Sequence, residues 1–539
     1  MIVSIFNDVI GPVMRGASSS HCAAALRIGR LARDLVEGAF DDVLVEFDRA
    51  GSLPTTHDSQ GSDMGLFGGL LGWDAADERL PNSMQTLIDS GVRIRIETID
   101  VGDPHPNTYR LTLRGPGEEM TLRAISTGGG MIEVIDIDGS TVALGGDAFT
   151  TLLWTSVPAS SLRDELAVRE EIDECLLHQR PAAAGAQPGA LIEIRSMATL
   201  PAGLVAALRN RAGVTRLRQL SPVLPVLTRH DTAVPFSSAA EVLASDGVAG
   251  TTLWRLGVKY EMARSGLDQA EVERMMVDIV RILRRSIAQG IAGTSYADRV
   301  LGYQSGGFDE ARREGRLLAV GGLNRAILYV TALMEVKSSM GVIVAMPTAG
   351  ACAALPGVVI AMAEEMGLGE EEMARAFLAA GLVGVFIATA WTFAAEVGGC
   401  QAEGGAASAM AAAALVTLSG GSPARSLAAA SMAMQSMIGL ICDPVANRVE
   451  APCLGKNVMA AANALSCANM AIAGFDEVIP FDEVIETARR VAGQMPRELR
   501  CTALGGLSIT PTSLAIERRL AAARSASAPG CGSSGCGCH

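Results

Sequence analysis

The hydrophobic pattern changes once along the chain, and this change constrains the fold more than any other feature. Within the first 155 residues, short runs of alternating apolar and polar residues indicate half-buried strands, and one amphipathic stretch indicates an early helix. The strand-like runs cover residues 43–47, 92–96, 109–113 and 131–135, and the helical stretch covers residues 23–36. From about Phe236 onward almost every segment has helical periodicity. The sequence therefore predicts an α+β N-terminal domain followed by an all-α C-terminal domain.

The same pattern divides the chain into four parts. These are an α+β domain (1–155), a linker with a small αβ connector (156–235), an all-α domain (236–520) and a flexible tail (521–539). Residues 181–189 are rich in Pro, Ala and Gly without periodicity, which is typical of a linker. The Gly/Ser-rich tail carries Cys531, Cys536 and Cys538.

The acidic character of the chain limits its partners. Its net charge is −14, and no run of Lys and Arg occurs in its 539 residues, whereas nucleic-acid binding needs a basic surface. We therefore expect a small-molecule partner and no nucleic acid. Aromatic residues make up only 4% of the chain and Gly is abundant, so the helices must pack closely through small side chains.

One apolar segment is long enough to cross a bilayer. Residues 376–395 carry no charged side chain, but Ala, Gly and Thr dilute their apolarity, which favours a buried helix over a membrane span. The first eight residues lack a basic region and include Asp8, unlike a signal peptide. The sequence thus predicts a cytoplasmic protein with no membrane partner.

Three of the eleven cysteines lie in turns bounded by Gly or Pro between helices. They are Cys400, Cys442 and Cys453. A cytoplasmic compartment keeps thiols reduced, so metal binding or redox chemistry is more plausible than a disulfide framework. Their spacing matches no general metal-binding signature, and the alternative is that they are small buried apolar residues.

The residues around these cysteines resemble a known family. Gly-Cys-Gln-Ala-Glu (399–403), Cys-Asp-Pro-Val-Ala (442–446), Pro-Cys-Leu-Gly-Lys-Asn (452–457) and the segment 338–352 resemble the α part of the iron–sulfur-dependent L-serine dehydratases. Gly-Ala-Ser-Ser-Ser-His (16–21), Gly-Ser-Asp (61–63), Pro-His-Pro-Asn-Thr (104–108) and Ser-Thr-Gly-Gly-Gly (126–130) resemble its β part. The resemblance covers residues 1–135 and 236–510, and so implies both parts fused in one chain.

This resemblance implies an activity and a set of site residues. A [4Fe-4S] cluster held by Cys400, Cys442 and Cys453 would have one open iron, a Lewis acid for the β-elimination of L-serine to pyruvate and ammonium. The substrate-binding residues would be Ser18, Ser19, Ser20, Ser126, Ser339, Thr348 and Gly350. Lys456 and Asn457 would support the cluster ligands. A role in amino-acid catabolism and gluconeogenesis, and assembly as a homo-oligomer such as a dimer, would accompany this activity.

The serine-rich segment also has a purely structural interpretation. Ser18, Ser19 and Ser20 precede the early helix, where their hydroxyls and the helix N-terminus could hold a carboxylate. Serine at this position is equally typical of an ordinary helix N-cap.

The catalytic base is where this chain departs from the family. Related β parts often have a histidine directly before Gly-Ser-Asp, but here the position is Gln60, which cannot accept a proton at neutral pH. Either His57, our first choice, or His21 is the base, or the substrate differs from serine. A turn histidine without a catalytic role is the alternative for His57.

Three other functions share some of these features. Pyridoxal-phosphate chemistry needs a Schiff-base lysine, and the chain has only Lys259, Lys337 and Lys456, none in a recognisable phosphate site. An iron–sulfur lyase for another β-substituted amino acid would share every motif. A non-catalytic iron–sulfur sensor would need the cysteines alone. The tail cysteines could cap the open iron, deliver a cluster or have no role.

Overall fold

The computed structural model describes residues 2–156, 159–179, 189–245, 248 and 250–527, with the backbone alone for 524–527. Sheets and helices alternate in the N-terminal region, and from about residue 250 the protein is almost wholly helical. The predicted fold class is therefore confirmed. Residues 181–188 of the predicted linker and the tail cysteines Cys531, Cys536 and Cys538 lie outside the described residues.

Twelve strands occur in the described residues and form three sheets. They are β1 (Val13–Met14), β2 (Asp42–Asp48), β3 (Arg93–Ile99), β4 (Thr108–Gly115), β5 (Glu118–Gly128), β6 (Met131–Ile137), β7 (Ser140–Leu144), β8 (Phe149–Thr155), β9 (Glu174–Gln179), β10 (Ala190–Ser196), β11 (Val214–Leu220) and β12 (Ile343–Val344). The largest sheet has the order β3-β2-β4-β5-β6-β7, in which only the β2–β3 pair is parallel. The alternating runs of the sequence become β2, β3, β4 and β6.

Nineteen α-helices occur in the described residues. They are α1 (Ala24–Leu35), α2 (Leu53–Gln60), α3 (Ser62–Leu70), α4 (Ser83–Asp89), α5 (Ser160–Ala167), α6 (Ala202–Arg209), α7 (Ala239–Ala244), α8 (Leu253–Ser265), α9 (Gln269–Ala292), α10 (Ser305–Arg313), α11 (Leu323–Ser338), α12 (Ala354–Glu365), α13 (Glu370–Ala390), α14 (Ala395–Gly398), α15 (Ala406–Leu418), α16 (Pro423–Gln435), α17 (Cys453–Ile472), α18 (Phe481–Gln494) and α19 (Pro511–Ser527).

A small β-α-β-β-α-β unit follows the largest sheet. It runs β8-α5-β9-β10-α6-β11, and its antiparallel sheet has the order β11-β8-β10-β9 around a separate apolar core. β8 lies before residue 155, so the sheet combines the end of the predicted first part with the predicted connector. The four domain boundaries themselves stay a prediction.

The apolar segment expected as a buried helix forms α13. It packs against α8, α9 and α15 in the core of the helical region. By length and composition it is the one helix of the described residues that could cross a membrane, and most of its apolar window is buried inside the protein. The position of α13 in the core agrees with the expected buried helix.

Close helix packing depends on residues without a side chain, as the composition suggests. A Cβ atom added to Gly290 in α9 would lie 2.4 Å from the carbonyl oxygen of Ala332 in α11. A Cβ atom on Gly257 in α8 would lie 2.6 Å from the carbonyl oxygen of Leu378 in α13. Because backbone atoms are the obstacles, these contacts cannot be relieved by a side-chain rotation.

We therefore expect Gly290→Ala to lower the free energy of unfolding by about 1–3 kcal/mol, since α9 and α11 would have to separate. Urea unfolding followed by circular dichroism measures this change. The matched control is Gly493→Ala in α18, where an added Cβ atom would have nothing within 4 Å. The control should stabilise the helix by about 0.5–1 kcal/mol, and equal effects of the two substitutions would contradict the packing argument.

The first residues of the chain are built into the helical region. Glu261 of α8 accepts hydrogen bonds from the Ser4 hydroxyl at 2.7 Å and from the Ile5 backbone N–H at 2.8 Å. Ile5 also packs against Gly381 of α13. Next along the chain, β1 pairs antiparallel with β12. These contacts hold the segment that follows β1 beside the loop that follows β12.

Candidate active site

Three buried cysteines come together from separate segments of the helical region. Cys400 follows α14, Cys442 lies in the loop after α16, and Cys453 begins α17. The sulfur atoms of Cys400 and Cys442 and a carboxylate oxygen of Glu403 all lie within 4.8 Å of one another. Burial, and next the neighbouring Cys400, raise the pKa of the Cys453 thiol well above its usual range. Thiols gathered in this way are the usual ligands of iron–sulfur clusters.

A fourth buried cysteine, Cys501, joins this group from a distant loop. The Cys442 backbone N–H donates to the Leu499 carbonyl at 2.9 Å, and the Cys501 N–H donates to the Cys442 carbonyl at 3.3 Å. The Cys442 thiol has hydrogen-bonding contacts with both Cys400 and Cys501, which raise its pKa. The structure thus places Cys400 and Cys442 in contact with Cys501, a cysteine that the sequence motifs did not indicate, and places Cys453 near enough to Cys400 for that thiol to raise the pKa of Cys453.

Lys456 lies one turn beyond Cys453 on the same face of α17. Its ammonium donates to the Asp443 carboxylate and the Ile441 carbonyl, both at 2.7 Å, and lies 3.7 Å from the Cys400 sulfur. Burial opposes the charged form, but Cys400 and Asp443 outweigh it and raise the pKa of Lys456. A cation in this position favours the thiolate form that metal binding requires.

Asn457, the next residue, joins α17 to the loop after β12. Its amide donates to the carbonyls of Gly350 at 2.8 Å and Cys453 at 2.9 Å, and its oxygen accepts from the N–H groups of Ala353 and Ala354. Asn457 therefore fixes the predicted substrate loop relative to the first residue of the cysteine helix.

Gln60 faces the cysteines from the N-terminal region. It is 1% exposed, and its amide donates to the Asn447 oxygen at 3.0 Å and lies 3.7 Å from the Cys501 sulfur. Thr56, one turn earlier on α2, is also buried and contacts His21. The buried face of α2 therefore carries Gln60 and Thr56. Gln60 is held there by its hydrogen bond to Asn447.

His21 is fully buried in the π-helical turn Ser19–Ala23. Its Nδ1 lies 3.1 Å from the Ser18 hydroxyl and 3.5 Å from the Glu396 carboxylate, and its Nε2 lies 2.8 Å from the Thr56 hydroxyl. Burial and next the charge of His57 lower the pKa of His21 to about 3. Ser18 occupies the N-cap position, but its side chain turns to His21 and makes no capping bond.

Glu396 is the buried acid next to His21. Burial, and next the charge of Glu403, raise its pKa to about 7. One carboxylate oxygen has no hydrogen-bond partner in the part of the chain that the structure describes. A buried carboxyl group that titrates near neutral pH is suited to general acid–base chemistry. The sequence motifs gave no reason to select this residue.

His57 lies one turn before Gln60 on α2 and pairs with Asp63 of α3. Its Nδ1 lies 2.8 Å from the Asp63 carboxylate, and its ring packs at a tilted angle on Phe47 of β2, with the ring centroids 5.2 Å apart. Burial would lower its pKa, but Asp63 outweighs this effect and holds the pKa above the ordinary value. The catalytic role predicted for His57 stays a prediction.

The loop after β12 contacts the serine-rich segment directly. The Ala349 backbone N–H donates to the Ser19 hydroxyl at 3.1 Å, and the Thr348 hydroxyl donates to Glu403 at 2.7 Å. A Cβ atom on Gly350 would lie 2.9 Å from a carboxylate oxygen of Glu403, so a side chain there would displace this carboxylate. Ser19, Thr348 and Gly350 are thus brought together beside the cysteine group.

The other three predicted substrate residues have different surroundings. Ser20 is buried in the same turn as His21. Ser126 at the end of β5 is fully buried, and its hydroxyl has no hydrogen-bond partner among the described residues. Ser339 accepts a hydrogen bond from Arg299 at 2.5 Å, so its hydroxyl is already engaged. Substrate binding by these residues stays a prediction.

A cavity of about 280 Å³ lies between the N-terminal and helical regions. Its lining comes from Ala17, Asp58, Ser59, Gly61, Met64 and Pro81 on one side and from Tyr296, Asp298, Lys337, Ser338, Met340, Arg448, Val449 and Glu450 on the other. Three larger cavities lie elsewhere, one against α9, one in the β-α-β-β-α-β unit and one on the largest sheet. The smaller cavity lies between the serine-rich segment and the loop that leads to Cys453, and Ser338 of the predicted substrate loop lines it.

Comparison with known proteins identifies the family. Residues 245–508 match the family model for the serine dehydratase alpha chain. A probable L-serine dehydratase alpha chain of Bacillus subtilis is 35% identical over 263 residues, covering 49% of this chain and 88% of the relative. The L-serine dehydratase alpha chain of Peptoniphilus asaccharolyticus is 32% identical over 284 residues, covering 52% of this chain and 97% of the relative. The chain belongs to the L-serine dehydratase family.

This member of the L-serine dehydratase family also contains a part that is similar to the beta chain. A probable L-serine dehydratase beta chain of Bacillus subtilis is 40% identical over 144 residues, covering 27% of this chain and 64% of the relative. The resemblance found in the sequence is therefore confirmed, with beta and alpha parts fused in one chain. The cavity lies between these two parts.

Four residues of the candidate dehydratase site were not selected from the sequence. Cys501, Glu396 and Asn447 lie among the cysteine and histidine contacts, and Lys337 lines the cavity. A short sequence motif contains only residues that are neighbours along the chain. These four residues come close to the site only through the packing of the helices. The sequence suggests for Lys337 only the role of a Schiff-base lysine for pyridoxal phosphate.

Proposed function

We propose that this chain is an L-serine dehydratase that converts L-serine to pyruvate and ammonium. The observation that carries the proposal is the convergence of three buried thiols beside a small polar cavity between the beta-like and alpha-like parts. Each of the selected relatives is named as a certain or probable L-serine dehydratase chain. Loss of water from serine gives aminoacrylate, which hydrolyses to pyruvate and ammonium without further help from the protein.

Cys400, Cys442 and Cys453 would hold a [4Fe-4S] cluster in this proposal. The donor set suits such a group, because the thiols are buried together and Lys456 provides a nearby cation. When bound, a cluster with one iron free of protein ligands supplies a Lewis acid that assists the departure of hydroxide. Lys456 stabilises the ionised cysteines, and Asn457 holds the substrate loop against them.

The proton on the α-carbon of serine needs a base, and Glu396 is the best candidate. Its raised pKa lets it both accept and release a proton near neutral pH. His21 is a weaker candidate, because its low pKa makes it a poor proton acceptor, but its imidazole orients Glu396. His57 remains the alternative, because Asp63 raises its basicity.

The same proposal carries three broader expectations. They are a cytoplasmic location, assembly as a homo-oligomer such as a dimer, and a role in amino-acid catabolism with pyruvate available for gluconeogenesis. The metabolic role follows from the proposed reaction, the location agrees with reduced cysteines, and the oligomeric state is an expectation from the family resemblance.

An anaerobic assay tests the proposed function. We expect the purified protein to contain about four iron atoms per chain, to absorb in the visible range, and to release pyruvate and ammonium in equal amounts from L-serine. A panel of other β-hydroxy and β-substituted amino acids identifies a lyase with a different substrate. Iron without turnover of any amino acid would indicate a sensor, and iron-free protein would refute the cluster proposal.

A further inference from the structure

Lys337 is buried without a partner. It lies in the last turn of α11 with 1% of its surface exposed, and its ammonium has no hydrogen-bond partner among the residues that the structure describes. Burying an ammonium group without a partner is strongly unfavourable. Proteins keep such groups chiefly where they serve function, because the unfavourable burial can then be repaid by a ligand.

The neighbouring cations each have acceptors, which sets Lys337 apart, although the Nε of Arg448 has no hydrogen-bond partner among the described residues. Arg448 donates to both oxygens of Asp298, at 2.7 and 2.9 Å. Lys456 pairs with Asp443 at 2.7 Å. Arg299 donates to Ser339 at 2.5 Å and to the Thr294 hydroxyl at 3.1 Å. Among the described residues of this region, Lys337 is therefore the cation whose charged group has no hydrogen-bond acceptor at all.

Lys337 is positioned to meet a ligand in the cavity between the two parts. It lines the cavity of about 280 Å³ together with Ser338, the first residue of the predicted substrate loop. Burial raises the pKa of both Glu450, which lines the same cavity, and Cys453, and the charge of Lys337 opposes this rise in each. The ammonium therefore lies between the cavity and the cysteine group.

An amino acid matches these charges. It is a zwitterion whose carboxylate can pair with Lys337, and Glu450 offers a negative charge for its ammonium group. The hydroxyls expected to hold the carboxylate are partly occupied, because Ser18 contacts His21 and Ser19 accepts from the Ala349 N–H. Of the two cations that line this cavity, Arg448 is already paired with Asp298, so Lys337 is the one whose ammonium can pair with a carboxylate.

We propose that Lys337 binds the α-carboxylate of the amino-acid substrate in this cavity. The inference rests on the proposed function for the identity of the substrate, but the binding site can be tested without turnover. Lys337 acts in this scheme as a binding residue that positions the substrate, while the proton is moved by another group.

The test uses the anaerobic holoenzyme and two ligands that cannot lose a β-hydroxyl, L-alanine and L-alaninamide. Calorimetry should show that Lys337→Met weakens L-alanine binding by about 30-fold, the effect of losing a hydrogen bond between charged groups. Binding of L-alaninamide, which has no carboxylate, should not change. The matched control is Lys259→Met on α8, an exposed lysine, which should leave both affinities as in the unmodified protein.

Two further measurements separate this role from a structural one. The iron content of Lys337→Met should equal that of the unmodified protein, and its thermal midpoint should be unchanged or higher because an unpaired buried charge is removed. For L-serine, KM should rise about 30-fold with little change in kcat, which is the sign of a lost binding contact.

Several outcomes would overturn the inference. Equal L-alanine affinity in the variant and the unmodified protein would do so directly. A lower iron content, or an equal loss of affinity for both ligands, would mean that Lys337 balances the charge of the cysteine group instead. If the unmodified protein makes no pyruvate while L-alanine binding still depends on Lys337, the dehydratase proposal fails and the carboxylate site stands.

Discussion

Replacing Cys442 with alanine is expected to remove the iron–sulfur cluster and nearly all serine dehydration. Cys442 is the central thiol of the group, since it contacts both Cys400 and Cys501. Loss of a supporting residue around a metal typically costs 10–100-fold, and loss of a ligand should exceed roughly 100-fold in kcat. Anaerobic absorption spectra, iron content and pyruvate release measure the effect, and Cys400→Ala and Cys453→Ala should behave in the same way.

The matched control for these variants is Cys467→Ala. Cys467 is equally buried and lies on α17, the helix that Cys453 begins, but its thiol contacts the Asn463 side chain instead of the cysteine group. It should keep both iron and activity. Full iron content in Cys442→Ala would contradict the proposed ligand set.

Cys501 provides a sharper version of the same experiment. It contacts Cys442 and Gln60, so it could compete with the three predicted cysteines as a ligand. If the proposed set is correct, Cys501→Ala should retain its iron, because three thiols remain. Loss of iron in this variant, with retention in Cys453→Ala, would mean that the sequence motif selected one wrong cysteine.

The fold was predictable where side chains repeat along one element. β2, β4 and β6 alternate apolar and polar residues, and α1 is strongly amphipathic, so each pattern reports its own buried face. The β-α-β-β-α-β unit was harder to see, because β8 follows the largest sheet without an interruption in the pattern. Its pairing with β10 and β11 depends on residues that are distant in sequence.

The candidate site was predictable only in part, for the same reason. The short sequence motifs around Cys400, Cys442 and Cys453 are each continuous in the chain, so they could be matched to a family. The approach of Cys501 to Cys442 requires the loop after α18 to return to the site, and no local pattern encodes that contact. The burial of Lys337 likewise follows from how α11 packs, not from its neighbours in sequence.

The second large effect concerns Glu396. Its carboxylate lies 3.5 Å from His21, is 3% exposed in its side chain, and has one oxygen without a hydrogen-bond partner among the described residues. Burial raises its pKa to about 7, so near neutral pH a substantial fraction is ionised and able to accept a proton. We expect Glu396→Gln, which keeps the shape but cannot accept a proton, to lower kcat about 1,000-fold.

The pH profile distinguishes a base from a structural residue. A carboxyl group works as a base only when ionised, so the activity of the unmodified protein should fall as the pH drops through about 7. The residual activity of Glu396→Gln should lack this acidic limb, while its iron content and thermal midpoint should stay close to those of the unmodified protein.

His57→Gln is the decisive comparison, because His57 is the other candidate for the base. If Glu396 takes the proton, His57→Gln should keep most of the activity and the same acidic limb, since His57 pairs with Asp63 instead of with Glu396. If instead His57→Gln loses activity about 1,000-fold while Glu396→Gln keeps it, then His57 is the base. Glu396 would then have its raised pKa only because it is buried, since burial alone raises the pKa of a carboxyl group whether or not it takes part in catalysis.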